Sequence, residues 1–283
     1  MAILNITPDS FFEGSRTPGA AAAEERVRRA VAEGASIIDV GGYSSRPGAD
    51  EVSPDEELRR VAEGVAAVRR IAPDMPVSVD TFRAEVAAKC IESFGRVIIN
   101  DISAGEIDPE IIRVAVRFDV PYIAMHMRGT PDTMQSMTDY GDVTAEVVEY
   151  FRAKTSQLSA AGMRRENIVL DPGFGFAKTL EQNYELLGGL HRLRETGYPV
   201  LAGLSRKSMI YRLLGTTPAE SLAGTTALNW ECLRQGASIL RVHDVREAVE
   251  TVKIFERFRL SAPAAAVPCA DRSPIGGQLK TEL

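Results

Sequence analysis

Eight short apolar runs divide the chain, and most are followed by a longer stretch of helical periodicity. The runs are AILNI (2–6), SIIDVG (36–41), VSVD (77–80), VIIN (97–100), YIAMH (122–126), IVLD (168–171), VLAGLS (200–205) and SILRVH (238–243). Stretches such as AAAEERVRRAVAEG and DEELRRVAEGVAAVRR set apolar residues on one helical face and charges on the other. Helical patterns that stop at Gly34 and Gly162 carry a usual C-terminal signal. Strand–helix alternation calls for parallel strands with right-handed crossovers. Continuous apolar strands call for a sheet covered on both faces. Eight such units in 283 residues favour a closed barrel over an open doubly wound sheet. The expected fold is α/β, a single (β/α)8 TIM barrel over residues 1–260. From 261 to 283 the chain turns to Ala, Pro and Gly, which reads as a flexible tail.

Charge and cysteine usage narrow the function. A formal net charge of −6 leaves no overall basic footprint for nucleic acid, so any anion site must be local. No run approaches the roughly 18 apolar residues that span a bilayer. The N-terminus lacks the basic region and long apolar core of a signal peptide. Neither a nucleic-acid nor a membrane partner is expected. Cys90, Cys232 and Cys269 are too few and too scattered for a disulfide framework or a zinc site, and they suit a cytoplasmic setting.

In a barrel of this kind the C-terminal strand ends build the site. Here those ends carry Asn5, Asp39, Asp80, Asn100, His126, Asp171, Ser205 with Lys207 just beyond, and Arg241 with His243. A single Asp after a strand is most often a helix cap. Asp244 reads that way, Asp39 reads as a turn former ahead of two glycines, and capping competes at Asp80. Capping alone does not account for polar groups at nearly all eight ends. Asp80, Asn100, Asp171 and Lys207 combine acceptors and donors that suit a flat heterocycle with a hydrogen-bonding edge. Arg241 and His243, alternate residues on the last strand, suit an anion such as phosphate. Asn5 suits a neutral ligand to a Mg²⁺ ion held mainly by substrate oxygens. His126 reads as a structural histidine.

Three loops add to this. TPDSFFEGSRT (7–17) has the length of a lid, and GGYSSRPGAD (41–50) is dense in Gly, Ser and Pro and carries Arg46. GLSRKSMI (203–210) places Ser205, Arg206, Lys207 and Ser208 at a helix start, where backbone N–H groups favour an anion. A Schiff base at Lys207 is the competing reading of that loop.

These segments resemble dihydropteroate synthases. The motifs are ILNITPDSFFEG (3–14), DVGGYSSRPGADEVS (39–53), VSVDT (77–81), IINDIS (98–103), MHMRGTP (125–131), LDPGFGFAK (170–178), GLSRKSMI (203–210) and ILRVHDV (239–245), in the family's order. The resemblance implies an enzyme that joins 4-aminobenzoate to (7,8-dihydropterin-6-yl)methyl diphosphate, giving 7,8-dihydropteroate and diphosphate. It implies that Asp80, Asn100, Asp171 and Lys207 bind the pterin. Arg241 would stack on the pterin and contact diphosphate, with His243 and Asn5 at the diphosphate and Asn5 near Mg²⁺. Lys207, Arg241 and His243 are then the catalytic groups. Ser45 would serve both substrates, and Phe11, Ser45, Pro47, Phe176 and Ser208 would line the aminobenzoate pocket. A homodimer is also implied.

The chain departs from the family's pattern in having Tyr43-Ser44-Ser45 where Glu-Ser-Thr is common. It also begins almost at the first strand, so a start further upstream and an open question at the barrel's bottom are expected. The competing functions are a methyltransferase that binds methyltetrahydrofolate on a related barrel, and a pterin-binding protein without catalysis. Neither has a use for the Arg241–His243 pair.

Overall fold

The computed structural model describes residues 1–6, 20–44 and 51–261. Eight parallel strands alternate with helices: β1 (Ala2–Asn5), β2 (Ile38–Gly41), β3 (Val77–Asp80), β4 (Ile98–Asp101), β5 (Tyr122–Met125), β6 (Ile168–Asp171), β7 (Leu201–Ala202) and β8 (Ile239–Leu240). The helices are α1 (Ala20–Ala32), α2 (Pro54–Ile71), α3 (Ala84–Phe94), α4 (Glu110–Phe118), α5 (Val143–Ala160), α6 (Leu180–Gly188), α7 (His191–Arg194), α8 (Ser208–Tyr211), α9 (Leu222–Arg234) and α10 (Val245–Ser261). Strands β1 to β6 pair in sequence order, and β7 pairs with β8. Parallel bridges Leu170–Val200 and Ala2–Val242 join the two sets into a ring. The fold is the expected barrel.

Closure is local and well satisfied. Val242 donates its N–H to the Met1 carbonyl at 3.0 Å, and Ile3 donates to the Val242 carbonyl at 3.0 Å. The described residues therefore suffice to close the bottom of the ring. Strands β7 and β8 are shorter than their apolar runs. Past Leu240 the chain bonds to both neighbours, Arg241 donating to the Ala202 carbonyl and Val242 to the Met1 carbonyl, so Arg241 and His243 stand between β7 and β1.

Alternation along the strands divides the core in two. Leu4, Val40, Val79, Ile99, Tyr122, Ala124, Leu170 and Ala202 face outward into the helix layer. Ile37, Ile98, Ile123, Val169, Leu201 and Ile239 face inward and form an apolar floor, with Met1 packed against it. Asn100 and Asp101 are neighbours on β4 with opposite fates. Asp101 points to the helix side, where it accepts from Tyr122 Oη at 2.6 Å and from the N–H groups of Ser103 and Gly105.

Candidate active site

Two residues beyond the floor positions Ile37, Ile98, Val169 and Ile239 stand Asp39, Asn100, Asp171 and Arg241. A two-residue period carries all four into the barrel, one layer above the floor. Register brings the others alongside. Asn5 pairs with Gly41, Gly41 with Asp80, and Asp80 with Asn100. A Cβ at Gly41 would lie 3.2 Å from Asn5 Oδ1 and 3.7 Å from Asp80 Oδ2, so the glycine leaves room between them.

Arg241 is the hub. Its Nε donates to Asp39 Oδ2 at 2.7 Å, and its Nη2 lies 2.7 Å from Asp39 Oδ2 and 2.6 Å from Asp80 Oδ2. Burial opposes the guanidinium charge, but Asp39 and Asp80 outweigh it and hold the Arg241 pKa above its ordinary value. Burial raises the Asp80 carboxyl, and Arg241 opposes the shift. Asp39 is the residue that sequence reading missed. It is no turn former: it is fully buried and also accepts from Asn100 Nδ2, at 3.3 Å to each oxygen. Its place two residues past Ile37, matching Asp171 past Val169, was the available signal. The competing cap at Asp80 is excluded as well, since the first amide of α3 is capped by Asp108 Oδ2 at 2.7 Å.

Asp39→Asn should lower stability by about 3 kcal/mol, the low end for breaking a buried pair, because Asp80 remains to balance Arg241. A urea midpoint equal to that of the parent chain would show that Asp39 does not anchor Arg241.

On the far side, Asp171 Oδ1 accepts from the Gly173 N–H at 2.8 Å, and burial raises its pKa against the pull of Lys207. Lys207 donates to the Phe174 carbonyl at 2.5 Å and lies 4.5 Å over the Phe176 ring. Burial lowers its pKa to about 8, opposed by Asp171. Phe176 packs on an apolar wall of Phe82, Ile102, Met125, Met127 and Met134, which Tyr43 also joins. Tyr43 meets the Phe82 ring edge-on at 5.2 Å, so the position where the family commonly has Glu is an aromatic packing contact here.

His243 meets Ser205 across the β7–β8 seam. Ser205 Oγ accepts from the His243 N–H at 3.2 Å and lies 3.1 Å from Nδ1. Burial and then Arg241 lower the His243 pKa to about 3, so the ring is a neutral donor.

Two expectations at this end need correction. Arg206 does not serve an anion site. Its Nε and Nη2 each lie 2.8 Å from an Asp244 oxygen, and its Nη1 donates to the Pro218 and Ala219 carbonyls at 2.6 Å. The Asp244 carboxylate, expected as a cap, is thus an ion-pair partner that ties the α8 turn to the α10 turn. Lys207 occupies the N-cap position of α8, a single turn that starts at Ser208.

His126 is structural, as expected. It is buried, stands edge-on to Tyr150 at 4.8 Å, and its Nδ1 lies 3.1 Å from Lys178 Nζ. Phe11, Ser45, Pro47, Arg46, Cys269 and the tail from 262 lie outside the described residues. Among the described residues no three His, Cys, Asp or Glu side chains form a metal cluster, and no helix is long and apolar enough to cross a membrane.

The pterin binding enzyme family matches residues 1–243. The dihydropteroate synthase of Synechocystis sp. is 44% identical over 255 residues, spanning 90% of this chain and 88% of the relative. The chain belongs to the dihydropteroate synthase family. The Escherichia coli dihydropteroate synthase is 43% identical over 256 residues, 90% of each chain. Among solved structures, Yersinia pestis dihydropteroate synthase with a sulfonamide drug complex superposes with a TM-score of 0.87 at 39% identity, covering 92% of this chain and 93% of that one. Xanthomonas albilineans dihydropteroate synthase with 4-aminobenzoic acid gives 0.82 at 37% identity, covering 93% of each chain.

Proposed function

We propose that the strand-end ring holds (7,8-dihydropterin-6-yl)methyl diphosphate and 4-aminobenzoate and assigns each group a part in joining them. The chain is a dihydropteroate synthase by family, a pterinylmethyl transferase of folate biosynthesis. The convergence of Asp80, Asn100, Asp171, Lys207 and Arg241 above one apolar floor carries the reading of the site. Asn100 gives its amide protons to Asp39, so it presents its carbonyl oxygen to a ring N–H. Asp171, with Oδ1 on Gly173, presents Oδ2 to the donor edge of the pterin. Lys207 supplies the opposing donor.

Among the described residues Arg241 Nη1 makes no hydrogen bond, and it is the nitrogen we assign to the diphosphate. We assign neutral His243, in its Nε2–H tautomer, as a second donor. As the C–O bond stretches, negative charge grows on the leaving diphosphate, and these donors are most effective there. The electron-rich pterin spreads positive charge from the methylene. The neutral aromatic amine then attacks, with Phe176 beside it and Ser208 at the carboxylate end. Phe11, Ser45 and Pro47 complete the pocket in this reading.

Asn5 fits a Mg²⁺ ion carried by the substrate. It offers one neutral oxygen next to Asp80, and such an ion takes most of its ligands from phosphate and water. When bound, the ion neutralises charge on the leaving group. The assembly we propose is a homodimer, supported by exposed Leu213 and Leu214 after α8 and by Ile254 and Phe258 on α10. A cytoplasmic setting fits the free, buried thiols of Cys90 and Cys232.

Diphosphate release should require both substrates, and a sulfonamide should compete with 4-aminobenzoate, because both present an aniline opposite a polar or anionic group. Steady-state inhibition that is noncompetitive with aminobenzoate would remove Phe176 and Ser208 from that pocket.

A further inference from the structure

The β6–α6 loop, PGFGFAKT (172–179), carries three of the site's contacts. Its Gly173 N–H holds Asp171, its Phe174 carbonyl holds Lys207, and its Phe176 ring lies under the Lys207 ammonium. The loop is conformationally demanding. Gly173, Gly175 and Ala177 all have positive φ, at 69°, 81° and 49°. A Cβ on Gly173 would stand 2.1 Å from the His126 carbonyl oxygen, so the loop rests directly on the end of β5. A non-glycine residue in the left-handed region persists only where its surroundings fix it.

Lys178 does the fixing. Its side chain turns back under the loop, is 4% exposed, and donates to the Phe176 carbonyl at 2.9 Å and the Gly173 carbonyl at 3.1 Å. The third contact is His126 Nδ1 at 3.1 Å, which accounts for all three ammonium protons. Every one of these partners is neutral. A buried ammonium without a carboxylate in contact is costly, and burial lowers its pKa to about 7 against the field of Asp171. A neutral side chain would fill this space at less cost, so the donors themselves are what the position needs. Downstream, the Thr179–Gln182 capping box starts α6, and Asn183 holds the Gly175 N–H at 2.6 Å from the other side.

We propose that Lys178 is a positioning residue that pins the 172–178 loop to the end of β5 and so sets where Lys207 and Phe176 stand. The proposal rests on the site reading above. It does not require Lys178 to touch either substrate.

The test uses the full chain with Lys178→Met, which keeps length and removes all donors, and His126→Phe, which removes one acceptor. Lys178→Met should raise the KM for 4-aminobenzoate by about tenfold, since a small displacement of a substrate-facing wall costs at least that much. Acylation of Lys207, followed by mass spectrometry on the substrate-free protein, should accelerate as the Phe174 carbonyl releases it. His126→Phe should move both readouts in the same direction by less. A merely structural lysine would lower the thermal midpoint and the active fraction, leaving KM and Lys207 labelling as they were, and that result overturns the proposal. Should Lys178→Met fail to fold, His126→Phe decides on the same two readouts. Absence of diphosphate release from the unsubstituted chain would instead reject the functional reading, while the labelling comparison would still decide the role of Lys178.

Discussion

Arg241→Ala should slow cleavage of the pterin–diphosphate bond by about 10³, the loss expected when a donor aimed at developing charge is removed. The effect has two sources. One is the missing donor itself, which matters more in the transition state than in the bound ground state. The other is specific to this site: Asp39 and Asp80 would face the diphosphate with no counter-charge between them. The same change should lower folding stability by about 3 to 5 kcal/mol, because it leaves buried carboxylates unpaired. Its pH dependence has a fixed sign. Burial already holds the Asp80 carboxyl above its usual range and Arg241 opposes that, so removing Arg241 raises it further. A carboxyl whose pKa is raised in the folded state favours folding at low pH and loses that contribution as pH rises. The variant should therefore regain stability on acidification. Single-turnover cleavage beside calorimetric affinity for a pterin lacking diphosphate separates the two possible roles. Equal losses in both would make Arg241 a platform for the ring and not a clamp for the leaving group.

Asp171→Asn should weaken binding of the same bare pterin by about 3 kcal/mol, the order expected for losing a charge-assisted bond and leaving a donor unmatched. That is roughly a hundredfold in Kd. The geometry fixes the reason. Oδ1 is committed to the Gly173 N–H, so the amide nitrogen of the variant would take the place of Oδ2 and turn an acceptor into a donor. The fold should tolerate the change. Burial raises the Asp171 carboxyl, so an amide of the same shape is no worse in the free chain. An unchanged thermal midpoint with unchanged pterin affinity would take Asp171 out of the site.

Much of this site was legible before any coordinates. Polar residues at the ends of eight apolar runs identify Asp80, Asn100, Asp171, Lys207, Arg241 and His243, and the structure brings five of these, all but His243, around one floor while setting His243 at the adjoining seam. Asp39 and Lys178 were written in the same motifs, yet Asp39 read only as a turn former and Lys178 had no role. Their importance lies in partners 202 and 52 residues away, Arg241 and His126. Arg206 illustrates the converse. A cation beside Lys207 reads as part of an anion site, but its left-handed backbone and its Asp244 partner commit it to joining two loops.

The sequence by itself determined the barrel, because strand and helix periods are local properties that repeat along the chain. It determined which strand residues face inward too, since a period of two places Asn100 inside and Asp101 outside once one neighbour is assigned. Which charges are available and which are already satisfied was decided only by the tertiary structure. Arg241, Arg206, Lys207 and Lys178 have similar charge in the sequence, yet two are bound to carboxylates and two to neutral groups. The strength of a charge depends on what lies within a few ångströms and how dry that place is, and closing the ring is what sets both.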